Sequence, residues 1–212
     1  MIPLRDSVAT NKRASVTWLL IAINVLVTVV MFFNPDPEVF MNQWALIGNR
    51  INFLAPWTWY PFITSQFLHA GPFHLLSNMW FLKIFGDNVE ERLGHLKFLF
   101  FYLFWGIVAA LGQSLFLLHS SIPMVGASGA IAGVLGAYLV FFPHHQVKTL
   151  VPLGWFWRVI DLPASIMLFY WFFTQVLVGA GSLAQASMGG VAYFAHIGGF
   201  GAGWLTARAD KK

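Results

Sequence analysis

Gly126-Ala127-Ser128-Gly129-Ala130-Ile131-Ala132-Gly133 opens an apolar run that ends near Phe142, and it sets one serine where an uncharged loop gives way to the run. A hydroxyl entering an apolar environment costs free energy unless it is partnered. The partner on offer is His196, in Ala195-His196-Ile197-Gly198-Gly199 within the last apolar run. Serine with histidine is the minimum set for nucleophilic catalysis, because the imidazole takes the hydroxyl proton as attack begins. Length supports the pairing. The run from Ser128 is only about 15 residues, which as a helix reaches ~23 Å and falls short of a bilayer core of ~30 Å, so Ser128 is expected below one membrane face. His196, counted from a span starting near residue 190, lies roughly 9 Å along its helix and at a matching depth.

Composition bounds the rest. Of 212 residues 58% are hydrophobic and 9% charged, too little polar surface to coat a soluble globule, so the chain reads as a polytopic membrane protein. The formal charge of +4 comes from basic residues placed singly at the ends of apolar runs, which argues against a nucleic-acid partner. With no cysteine there is no thiolate nucleophile and no Cys-based metal site. The first run, Ser15 to Phe33, is too long for a cleaved signal core and reads as a retained span. Apolar runs near 15–33, 68–92, 97–118, 128–143, 159–179 and 190–207 predict an all-α bundle of six transmembrane helices with a short, buried fourth helix. The expected organisation is an N-terminal segment 1–14, a membrane domain 15–207 containing an outer interfacial loop 34–67, and a tail 208–212. Eleven of the twelve Lys and Arg fall in 1–14, 83–97, 144–158 and the tail, leaving only Arg50 on the other side. Both termini are therefore expected in the cytoplasm, and the protein in the plasma or inner membrane.

The second run opens with His69-Ala70-Gly71-Pro72-Phe73-His74-Leu75-Leu76-Ser77-Asn78. On a helix starting near Pro72, His74 and Asn78 are four apart and share a face, at the same end of the membrane as Ser128. Gly129, Gly133 and Ala137 make one small-residue stripe, and Ala195, Gly199 and Gly203 another; such faces let helices approach closely. All eight carboxylates sit in the outer connection, at span ends or in the tails. That excludes an aspartyl protease with paired carboxylates and an acidic third member of a triad. There is no His-Glu-x-x-His run, which argues against a zinc protease.

Taken in order, His69 and His74 leading to Asn78-Met79, Gly86-x-x-x-Glu90-x-x-x-Gly94, Gly126-Ala127-Ser128-Gly129 and Ala195-His196-Ile197-Gly198-Gly199 resemble the rhomboid family of intramembrane serine proteases. The resemblance runs from the first span to Arg208. It implies Ser128 as nucleophile, His196 as general base, and His74 with Asn78 as oxyanion-binding side chains, with no cofactor and no metal. It also implies membrane-protein substrates that arrive from the lipid bilayer, past a gate formed by the fifth span and a cap at 180–189. Two departures stand out. The first outer loop reads Trp57-Thr58-Trp59-Tyr60-Pro61 where the family often has Trp-Arg, and Ala132 stands where some members carry an aromatic that stacks on the histidine. A non-catalytic membrane chaperone or dislocation factor is the alternative; it predicts loss of the serine or histidine, and both are present. A transporter built from inverted repeats lacks its paired broken spans.

Overall fold

The computed structural model describes residues 1–7, 13–182 and 192–211. Most of them lie in α1 (Ser15–Phe32), α4 (Pro72–Leu93), α5 (His95–Leu117), α6 (Ser128–Phe141), α7 (Ala164–Ser182) and α8 (Tyr193–Asp210), with the short α2 (Pro37–Trp44) and α3 (Pro61–Thr64) between α1 and α4. Among the described residues three helices, α1, α5 and α7, are long and apolar enough to cross a membrane. The apolar α6 has only 14 residues. Helix α4 carries Lys83, Asp87, Glu90, Glu91 and Arg92 in its second half, and α8 is rich in glycine.

Helix α6 is the axis of the core: every residue from Gly129 to Tyr138 is buried, against α8, α5 and α4. Its contact with α8 is backbone on backbone. A Cβ placed on Gly199 would sit 2.0 Å from the Gly129 carbonyl oxygen, and one on Gly203 would sit 1.9 Å from that of Gly133. These two contacts are four residues apart on both helices, so α6 and α8 run parallel in one fixed register. Gly136 also meets α8, at Phe200 and Trp204. Helix α5 closes the other side, with Ala109 against Gly129 and Trp105 across Gly133.

The Gly86–Glu90–Gly94 spacing joins α1, α4 and α5. Glu90 accepts from the Val16 and Thr17 backbone N–H groups at 2.8 and 2.7 Å and from Thr17 Oγ1 at 2.7 Å. It thereby caps α1, whose own N-cap residue Ala14 supplies no side chain. A Cβ on Gly86 would press on Leu82 and Thr17 at 3.0 to 3.2 Å. Gly94, at φ +80°, ends α4 and begins α5.

The fold is not all-α. Residues expected as a loop and as the start of the fifth span form strands β4 (Gln146–Leu153) and β5 (Phe156–Pro163), an antiparallel hairpin, and β1 (Ile2–Asp6) adds to the β4 edge. The apolar count ran on through Val159-Ile160-Asp161-Leu162, but Val, Ile and Trp on either side of Gly154 favour a hairpin, and the fifth long helix starts only after Pro163. Proline without an N–H at position 3 coincides with the irregularity in the β1 pairing. The N-terminal segment is thus docked: Trp80 Nε1 donates to the Pro3 carbonyl at 2.7 Å, and Asp6 accepts from Asn88 Nδ2 at 2.9 Å and from the Tyr138 hydroxyl.

The connection between α1 and α4 folds onto the same end of the bundle as the serine. β2 (Leu46–Ile47) pairs with β3 (Pro123–Met124) just ahead of α6. No arginine follows Trp57 or Trp59; instead Arg50 Nη1 holds the Asn42 carbonyl at 2.8 Å and Tyr60 holds that of Gln43 at 2.7 Å. Leu54 and Trp57 stay exposed. Of the expected cap at 180–189, residues 183–189 lie outside the described residues.

Candidate functional site

Ser128 is the first residue of α6. The first N–H groups of a helix have no intrahelical partner and carry the positive end of its dipole, and the N-cap residue Ala127 offers no side chain to satisfy them. The chain reaches this position through Gly126, whose N–H donates to the Ser65 carbonyl at 2.9 Å and whose φ of +127° suits only glycine.

The α6–α8 register brings His196 to the same level. Helix α8 begins at Tyr193, so the histidine lies in its first turn rather than the second turn implied by a start near 190. His196 Nε2 is 2.8 Å from Ser128 Oγ. Next to it, the Ala195 N–H donates to Gln113 Oε1 of α5 at 3.1 Å, which settles a terminal N–H that has no other cap.

His74 and Asn78 converge on the same place from α4. A Cβ on Gly126 would lie 2.8 Å from His74 Nε2 and 3.8 Å from Asn78 Nδ2, so a larger residue there would displace the imidazole. Asn78 is buried, and its Nδ2 has no hydrogen-bond partner among the described residues. His69 stands edge-on to His74 with ring centroids 5.0 Å apart, and its Nδ1 lies 3.2 Å from Thr28 Oγ1 of α1. A cavity of about 580 Å³ is lined by His74, Asn78, Ser128, Trp171 and His196, between α4 on one side and α7 on the other.

Ala132 supplies no ring to His196. The histidine is instead flanked from α7, by Trp171 at a centroid distance of 5.7 Å and by Gln175, whose Oε1 is 2.8 Å from Nδ1. Neither residue stood out in the sequence, because one amide on an apolar helix makes no pattern with a histidine 21 residues away. Among the described residues no cluster of His, Asp and Glu fits a metal ion. The carboxylates Asp6 and Glu90 belong to the far end: Tyr138, which binds Asp6, is ten residues along α6 from Ser128, or ~15 Å.

The cavity is largely apolar, with the polar groups of His74, Asn78, Ser128 and His196 converging in it. Residues 56–211 match the family model of the rhomboid domain, and the chain belongs to the rhomboid family. It is 32% identical over 133 residues to the rhomboid protease GluP of Bacillus subtilis, and 40% identical over 114 residues to the putative rhomboid protease YdcA of the same organism. It is also 40% identical over 102 residues to the chloroplastic rhomboid-like protein 11 of Arabidopsis thaliana. These matches cover 63, 51 and 48% of the chain and 26, 54 and 32% of the respective relatives. The chain is thus a membrane protein of a family that includes intramembrane serine proteases.

Proposed function

We propose that the protein is an intramembrane serine endopeptidase that cleaves transmembrane segments of membrane-protein substrates. The observation that carries this reading is the 2.8 Å contact between Ser128 Oγ and His196 Nε2 at an uncapped helix N-terminus inside a cavity. Ser128 attacks the scissile carbonyl carbon and gives its proton to neutral His196. The oxyanion is held by the Ser128 N–H, His74 and the unpartnered Asn78 Nδ2. As the C–N bond breaks, His196 protonates the departing amine, and the same base then activates water to release the acyl group. No metal or cofactor takes part.

The long helices α1, α4, α5, α6, α7 and α8 serve as six spans within 15–207, in the plasma or inner membrane with both termini cytoplasmic; the Lys and Arg distribution supports that orientation. At 14 residues α6 spans only ~21 Å, which leaves Ser128 below the outer face. Substrate reaches the cavity between α4 and α7, the two helices whose Phe81 and Trp171 border it. A substrate-binding role without chemistry has no use for the serine–histidine contact. The test is a fluorophosphonate probe: wild type is labelled at Ser128, and Ser128→Ala and His196→Ala are not. Equal labelling of wild type and Ser128→Ala would remove Ser128 as nucleophile.

A further inference from the structure

His196 can act as a base toward Ser128 only in one tautomer, with the proton on Nδ1 and the lone pair on Nε2. In soluble triads a carboxylate sets that tautomer. Here the atom facing Nδ1 is Gln175 Oε1 at 2.8 Å. Which end of the amide faces the ring is decided by its other neighbours. Gln175 Nε2 lies 3.4 Å from the Trp171 carbonyl and 3.3 Å from Thr174 Oγ1, whose own proton goes to the Trp171 carbonyl at 2.6 Å. Both oxygens can accept there, so the amide nitrogen belongs on their side and the oxygen belongs on the histidine. The opposite orientation would oppose two oxygens and present N–H to Nδ1, forcing the proton onto Nε2 and leaving Ser128 without a base.

We propose that Gln175 is the positioning residue of the Ser128–His196 pair, holding the imidazole in its catalytic tautomer and orientation from α7. The proposal rests on the protease reading above. A neutral amide suits the location, since a carboxylate buried in an apolar bundle carries a large desolvation penalty. Trp171, one turn earlier on the same helix and 5.7 Å from the ring, restricts the imidazole from the side. Both restraints come from α7 and neither from α6, where Ala132 has no ring to offer. Alignment of the base therefore depends on where α7 stands. A shift of about 1 Å in that helix lengthens the hydrogen bond beyond its working range.

Two measurements test this, one of them independent of activity. In detergent micelles, ¹⁵N-histidine NMR, with His196 assigned by comparison with His196→Ala, should show Nδ1 protonated and Nε2 bare; in Gln175→Met the proton should move to Nε2. A wild-type His196 protonated on Nε2, or a tautomer unchanged by Gln175→Met, would overturn the proposal. In a cleavage assay Gln175→Met should lower kcat roughly 10- to 100-fold with KM and unfolding temperature unchanged. Wild-type kcat in Gln175→Met, or a loss of kcat that follows a fall in unfolding temperature, would show a structural role only. If the tautomer follows Gln175 but Ser128→Ala leaves cleavage intact, the positioning role stands and the protease reading falls.

Discussion

Asn78 Nδ2 is a buried donor with no partner among the described residues, and buried polar groups in folded proteins are mostly paired. Leaving such a group unsatisfied costs about 1–3 kcal/mol, a cost that makes sense if the acceptor is an oxygen charged only during the reaction. Asn78→Ala should therefore lower kcat by roughly 10- to 1,000-fold with little change in KM. Its unfolding temperature should stay at or above wild type, because the substitution removes an unpaired polar group. A destabilised but fully active Asn78→Ala would make Asn78 a packing residue. At this scale the sequence was informative where polar groups interrupt apolar runs: Ser128, His196, His74 and Asn78 all line one cavity. Gln175 was silent because its meaning depends on which way an amide points and on a partner from another helix. Gln113, which meets the Ala195 N–H, was silent for the same reason.

Between α6 and α8 the packing is glycine against carbonyl oxygen, which leaves no volume to share. Leucine at Gly199 would have to push the Gly129 backbone away, and backbone cannot rotate aside as a side chain does. Gly199→Leu should lower the unfolding temperature in detergent and abolish cleavage, whereas Gly201→Leu, on the same helix with open space at its Cβ, should leave both near wild type. Equal behaviour of the two variants would contradict the register that aligns the dyad. Glu90 works at the opposite end of the bundle. Glu90→Ala strips three hydrogen bonds from the start of α1 and should cost roughly 2–3 kcal/mol in chemical unfolding, with the kcat of the folded fraction retained. A loss of kcat without a loss of stability would tie Glu90 to the chemistry instead. The small-residue stripes were readable because close approach leaves a periodic trace in sequence. The hairpin was misread because an apolar run can be helix or strand, and only the flanking Gly154 and the β-branched residues separate the two. The pairing of β1 with β4 joins residues about 140 apart and leaves no local signal.

Over the whole molecule, charge and polarity are sorted to two ends. Asp6 meets Asn88 and Tyr138 near the C-terminal ends of α4 and α6, Glu90 meets the start of α1, and Asp210 pairs with Lys97 and Arg92, while Lys148 pairs with Asp161 at 3.0 Å. Ser128, His74, Asn78 and His196 gather toward the opposite end, beneath the aromatic connection between α1 and α4. The short apolar run was legible in the sequence, whereas the sheet at the charged end was not. On the proposed reading Ser128, activated by His196 at 2.8 Å, cuts a peptide bond within a transmembrane helix. The most direct measurement reconstitutes the full chain in liposomes with a single-span reporter and follows the products of wild type and Ser128→Ala. Wild type should cleave inside or at the edge of the reporter's apolar segment, and Ser128→Ala, which still inserts and unfolds at the wild-type temperature, should not. Cleavage of the same bond at the same rate by Ser128→Ala would rule out Ser128 as the nucleophile.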